Sequence, residues 1–130
     1  MPLEMIEINS AKVIFDREKT KAHRTLFNEP CDCSDCINYR KKIKENTELA
    51  EFLDSFGIDH NRTEEVMIWE EDDGTVYYEA YYGVFGRLEG EESLIEKHGV
   101  KIRFLNKAMI NHDRNGDFFW VCIEGDFSKL

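Results

Sequence analysis

Apolar and polar positions along the chain follow two periods. Val100, Ile102 and Phe104 alternate with Lys101 and Arg103, the period of a strand with one wet face. Val76, Tyr78, Ala80 and Tyr82 alternate with Tyr77, Glu79 and Tyr81 in the same way. Before them, Val66-Met67-Ile68-Trp69 reads as a partner strand, and Asp73-Gly74 between the two is a hairpin turn signal. Gly83 and Gly86 are expected to bend the sheet or begin a turn. Residues 118–123, Phe-Phe-Trp-Val-Cys-Ile, are apolar at every position, as suits a central strand buried on both faces. Ala11 to Phe15 reads as a short strand, and residues 1–10 are a candidate flexible lead.

The helical period is clearest over 35–56. Cys36, Tyr39, Ile43, Ala50 and Leu53 recur on one face, and Leu49, Phe52 and Phe56 widen it. Ser34 is the expected N-cap, Asp35 suits the positive end of the helix dipole, and Gly57 is the expected stop. Glu91 to His98 predicts a short second helix ended by Gly99. Together these elements predict an α+β fold. It has a mainly antiparallel sheet of about five strands, the long helix packed on one face and the short helix at 91–98.

The chain has 130 residues, enough for a single domain over 1–130. With 42% hydrophobic and 12% aromatic residues it is too apolar for a disordered chain. Twenty-seven acidic against 17 basic residues give a net charge of −10, against a nucleic-acid or anionic-membrane binder. The charge is uneven: residues 1–45 sum to +1 (9 basic, 8 acidic), and residues 46–130 to −11 (8 basic, 19 acidic). An acidic surface of this kind either keeps the protein soluble or steers a basic partner.

No apolar run reaches the roughly 20 residues needed to span a bilayer. The first residues lack the basic region and apolar core of a secretory signal. Three of the four cysteines crowd together rather than spreading to staple distant loops, so reduced thiols in the cytoplasm are expected. Asn61-Arg62-Thr63 then has no meaning as a glycan site.

Cys31-Asp32-Cys33-Ser34-Asp35-Cys36 is a C-x-C-x-x-C array just before a helix. Three thiolates this close can converge on zinc, which takes four sulfur or nitrogen ligands in a tetrahedron. His23 is the candidate fourth ligand, with His60, His112 and Cys122 as further options; the apolar strand around Cys122 already explains it as core. The competing readings are unliganded thiols at a helix start and a redox dithiol at Cys33 and Cys36. Asp32 and Asp35 weigh against the dithiol, since nearby negative charge disfavours a thiolate.

Tyr77 and Tyr81, if they face solvent, could anchor a protein interface beside the acidic run Glu70-Glu71-Asp72. Asp113, Asn115, Asp117 and Glu124 stand at calcium-loop positions one, three, five and twelve, but Phe118 occupies the place that requires Gly. A turn between two strands explains the segment better. His98 is expected to make a favourable contact with a helix C-terminus rather than act as a base. No nucleophile elbow, metalloprotease helix or phosphate-binding loop occurs, and no catalytic residue can be nominated.

Several segments resemble a group of small uncharacterised bacterial proteins, chiefly from Gram-positive species. They are Cys31 to Tyr39, Gly57-Ile58-Asp59, Glu64-Glu65-Val66, Tyr81 to Arg87 and Phe119 to Phe127. The resemblance covers the chain from about residue 20 onward and implies a bacterial cytosolic origin, with no activity and no functional residue to carry over. The sequence therefore suggests a non-enzymatic protein-interaction or regulatory module, such as an immunity protein, with a basic protein partner. The alternatives are a structural zinc protein built on Cys31, Cys33, Cys36 and His23, and a thiol redox protein.

Overall fold

The computed structural model describes residues 3–22, 32–106 and 118–130. Among these, seven strands form an antiparallel sheet and three helices accompany it, an α+β arrangement. The strands are β1 (Glu4–Ile8), β2 (Ala11–Phe15), β3 (Glu65–Glu70), β4 (Val76–Glu89), β5 (Ser93–Lys97), β6 (Val100–Leu105) and β7 (Phe118–Asp126). The helices are α1 (Arg17–Ala22), α2 (Ser34–Glu45) and α3 (Thr47–Asp54), and a 3-10 turn closes the chain at Phe127–Lys129.

The strand path is β1-β2-β4-β7-β6-β5, with β3 beside β4. The long strand β4 organises it. One edge pairs with β7 from Tyr77 to Phe85; the other pairs with β3 up to Tyr81 and with β2 from Gly86 onward. The change of neighbour falls at the glycines expected to bend the sheet. At Gly86 (φ +147°) a Cβ would stand 2.0 Å from the Ile14 carbonyl oxygen, so only glycine lets β2 approach there. The sheet is strongly curled. Ser93 Oγ donates to Ile8 O (3.1 Å) and Asn9 Nδ2 to Leu94 O (3.2 Å), joining strands that a flat sheet would hold about 24 Å apart.

The alternations read from the sequence hold. Tyr78, Ala80, Tyr82, Ile102 and Phe104 are buried, and β7 lies centrally with Phe119 to Ile123 buried on both faces. Tyr39, Ile43, Leu49, Leu53 and Phe56 of the helical segment belong to the same core. Phe56 is its hinge, 4.9 Å from Phe15 and 5.9 Å from Phe104 between ring centroids.

Several expectations are corrected. The single helix over 35–56 is two helices, because Asn46 (φ −89°, ψ 79°) leaves the helical conformation. Its N–H meets the carbonyls of Lys42 and Ile43 (both 3.2 Å) to end α2, and its side chain accepts the Leu49 N–H (3.3 Å) to start α3. The N-cap of α2 is Cys33 rather than Ser34, and Cys36 is half-buried rather than core. Residues 91–98 are not a helix: Ser93–Lys97 is strand β5, paired with β6. His98 (φ +56°) and Gly99 (φ +82°) form a two-residue hairpin loop between Lys97 and Val100, a conformation no helix contains. Finally, about five strands become seven, because β5 replaces that helix and β1 replaces the flexible lead, laddered on β2 from Glu4↔Phe15 to Ile8↔Ala11.

Candidate functional site

The helices cover one face of the sheet. The opposite face is built from the alternate residues, and the registers place them in rows. One row runs Met67, Glu79, Glu124, Lys101 and Glu96; the row beneath it holds Trp69, Tyr77 and Asp126. All of these except Met67 line an open groove of about 780 Å³ between the β3–β4 hairpin, the end of β7 and the β5–β6 hairpin. Lys97, His98 and Lys129 also border it.

Trp69 and Tyr77 form one wall. Their rings stack, with centroids 6.2 Å apart and planes 25° apart, because Trp69↔Tyr77 is a direct cross-strand pair. Trp69 remains 39% exposed, as does Met67, an unusual display of two large apolar side chains on a six-residue strand. The indole N–H donates to Glu71 Oε1 (2.9 Å), which orients the ring. The acidic run Glu70-Glu71-Asp72 is exposed at the tip of the hairpin. The tip is held by Glu71 N–H to Thr75 O and Gly74 N–H to Glu71 O (both 2.9 Å), with Gly74 at φ +86°. The Thr75 N–H held by the Asp73 carboxylate (2.9 Å) lowers that carboxyl below its usual range.

The floor carries two carboxylates directly opposite one another, Glu79 and Glu124. Each has a partner on its own side: the Tyr81 hydroxyl donates to Glu79 (2.9 Å), and Arg103 Nε meets Glu124 (2.7 Å). Above the floor the face closes. Tyr81, Trp120 and Cys122 lie on this face yet are buried, and so is Phe85, whose ring carries the Lys19 ammonium of α1 (4.6 Å to the centroid). Tyr81 is thus not the exposed anchor the alternation suggests: only 7% of it is accessible, packed beside Cys122 with its hydroxyl turned onto Glu79. Burial raises its hydroxyl well above the ordinary tyrosine value. Burial likewise pushes the Cys122 thiol up to about 12, with the Glu124 and Glu79 carboxylates adding to it, so this sulfur is an inert core group.

Of the proposed metal ligands, Cys31 and His23 lie outside the described residues, as do His112, Asp113, Asn115 and Asp117. Cys33 and Cys36 stand on the first turn of α2, where Cys33 Sγ accepts the Cys36 N–H (3.4 Å). His60 Nδ1 is engaged by Asp54 (3.2 Å). His98 is not at a helix C-terminus but in the β5–β6 turn, with Nδ1 on Glu48 (3.0 Å). Among the described residues no group of three His, Cys, Asp or Glu side chains is placed to hold a metal ion. Glu124, the last of the calcium-loop positions, is paired with Arg103.

Sequence reasoning found Tyr77 and the acidic run but did not place Trp69, Met67, Glu79 or Glu124 on an interaction surface; Glu124 entered it only as a calcium-loop position. The alternation in β3 puts Met67 and Trp69 on one face and was available as a signal; the Glu79–Glu124 pairing depends on strand order and was not. Comparison with protein-family models, curated proteins and solved structures returned no match for this chain.

Proposed function

We propose that the chain is a non-enzymatic protein-interaction module that captures a basic partner on the β3–β4 hairpin, as an immunity protein or small cytoplasmic regulator does. The observation that carries this reading is the composition of the hairpin. Between Arg62 and Arg87 the sequence holds seven carboxylates and no Lys or Arg. In the same segment Met67 and Trp69 stand exposed beside Glu70, Glu71 and Asp72. Exposed aromatic and Met side chains supply the apolar contact of an interface, and the carboxylates supply steering and selectivity for cations. No helix among the described residues is long and apolar enough to cross a membrane.

The test uses short lysine-rich peptides and their glutamate counterparts, titrated against the wild type, Trp69→Ala and the triple variant Glu70→Lys/Glu71→Lys/Asp72→Lys. Selective, salt-sensitive binding of the basic peptides, weakened about tenfold or more in both variants, supports the reading. Equal binding of both peptide types, or no loss in the triple variant, overturns it.

A second reading is a structural zinc site at Cys31, Cys33 and Cys36 with His23. It is favoured by the N–H···S bond from Cys36 to Cys33, a bond that a metal-bound thiolate also accepts at a helix start. Metal content of the reduced, untagged protein decides it. About one zinc per chain, lost in Cys33→Ser, supports the site. No zinc together with rapidly alkylated thiols favours redox chemistry instead.

A further inference from the structure

We propose that the basic partner binds as an added β-strand along the free edge of β3. The inference rests on the reading above and specifies its geometry. Among the described residues the sheet has three edges, at β1, β3 and β5. Two are tied to each other: Ser93 Oγ bonds Ile8 O, and Asn9 Nδ2 bonds Leu94 O. The edge of β3 is different. Among the described residues the strand pairs with β4 through six consecutive residues, Glu65↔Tyr81 to Glu70↔Val76, and with no other strand; its Val66 N–H meets the adjacent Glu65 Oε1 (3.2 Å) rather than a neighbouring strand.

Exposed edges are usually blunted by Lys, Pro or a bulge, since a row of unpaired N–H and C=O groups templates another strand. β3 has none of these: its sequence is Glu-Val-Met-Ile-Trp-Glu in unbroken register. Its defence is negative charge, with Glu65 and Glu70 at the two ends and Glu71-Asp72-Asp73 just beyond. That defence sets the occupant. Two copies meeting edge to edge would bring these carboxylates together, so like-charge repulsion opposes self-pairing. An extended basic segment meets the same edge with complementary charge.

The register also gives the pattern of the segment. Glu65, Met67 and Trp69 face away from the helices, while Val66 and Ile68 pack against the core. An added strand therefore places alternate side chains beside Glu65, Met67 and Trp69 and the others on the helix side. Lys or Arg fits the first set, where the Trp69 face also receives a cation; apolar residues fit the second. About six residues span the edge, roughly 20 Å.

The experiment uses the full-length chain, isotope-labelled, and a blocked peptide of about eight residues alternating Lys and Val. A second peptide is N-methylated at alternate residues, with a third methylated in the opposite register, so that either donor edge is removed. At low salt the parent peptide should bind and slow hydrogen exchange at alternate β3 amides about tenfold or more. One methylated peptide should bind about tenfold more weakly than the other. Glu65→Lys/Glu70→Lys, at two exposed positions, should abolish the protection while far-UV circular dichroism stays as in the wild type. If all three peptides bind alike, or the protection falls on β1 or β5, strand addition is wrong while capture of a basic partner stands. If no basic peptide binds, both fail.

Discussion

Three tyrosines on the helix side of the sheet differ in one respect, the fate of their hydroxyls, and that difference orders their substitutions. Tyr82 donates to His60 O (2.8 Å), so at the 2.7 Å contact between Tyr39 and Tyr82 it is Tyr39 that donates. Tyr78 is also fully buried, and its hydroxyl has no partner among the described residues. Tyr82→Phe removes two hydrogen bonds and strands both the Tyr39 hydroxyl and the His60 carbonyl. At about 1 kcal/mol per bond, plus the penalty for unsatisfied buried groups, the loss should be about 3 kcal/mol. Tyr39→Phe removes one bond and leaves Tyr82 donating to His60, for about 1 kcal/mol. Tyr78→Phe removes a hydroxyl that was desolvated without compensation, and should stabilise by about 1 kcal/mol. For a chain of this length 1 kcal/mol moves Tm by about 4 °C. The expected order is Tyr78→Phe above wild type, then Tyr39→Phe, then Tyr82→Phe about 10 °C below wild type. Thermal melts and urea titrations at constant m-value measure it. A Tyr78→Phe variant as destabilised as Tyr39→Phe would refute the reasoning, since it would mean that the Tyr78 hydroxyl is bonded after all.

The same burial makes the fold labile in base. The hydroxyls of Tyr39, Tyr78 and Tyr82 are raised well above the usual tyrosine value, first by burial, so between about pH 10 and their folded values the folded chain holds protons that the unfolded chain has lost. The tyrosine contribution is complete below about pH 10 and falls above it, by about 1.4 kcal/mol per pH unit for each such tyrosine; the smaller loss from Cys122 begins already at about pH 9. Phenolate absorbance should rise together with loss of circular dichroism; ionisation of these tyrosines near pH 10 in an intact fold would contradict it. Gly86→Ala should cost about 3 kcal/mol or more, because the new Cβ meets the Ile14 and Phe15 backbone, whereas Gly74→Ala, with nothing within 4 Å, should cost only about 1–2 kcal/mol for its positive φ. Chemical denaturation of the two variants separates strain from collision. Asn46→Ala should lose about 1–2 kcal/mol, since it removes the α3 cap and the bond to His98 O (3.2 Å), while Asn46→Asp, which retains the capping oxygen, should recover part of this in the same assay.

Much of the sheet was legible because its signal is local. The alternation at Val76 to Tyr82 and at Val100 to Phe104 and the apolar run at Phe118 to Ile123 follow from how many faces each strand buries, and every residue carries that information. Gly57 ends the helical segment at φ +84° for an equally local reason. The misreadings share a different cause. Ser93–Lys97 is strand because β6 lies beside it with a positive-φ turn between, and Glu4–Ile8 is strand because β2 pairs with it; neither segment carries enough periodicity alone. Asn46 is a cap whose signal is masked in the sequence by an apolar face that continues across it.

For the candidate site, the acidic run and the outward Tyr77 follow from sequence and strand period alone. Which outward residues remain accessible does not. Tyr77 and Tyr81 share a face of one strand, yet Tyr81 is buried beside Cys122 while Tyr77 borders the groove, a difference set by the neighbouring strand. The sequence by itself determined the α+β character, the charge and the hairpin that carries it, since these depend on residues near one another in the chain. Only the tertiary structure decided the seven-strand order, the opposition of Glu79 to Glu124 and the place of β3 beside β4 alone among the described strands, because pairing between distant segments is chosen by long-range packing that no local pattern encodes.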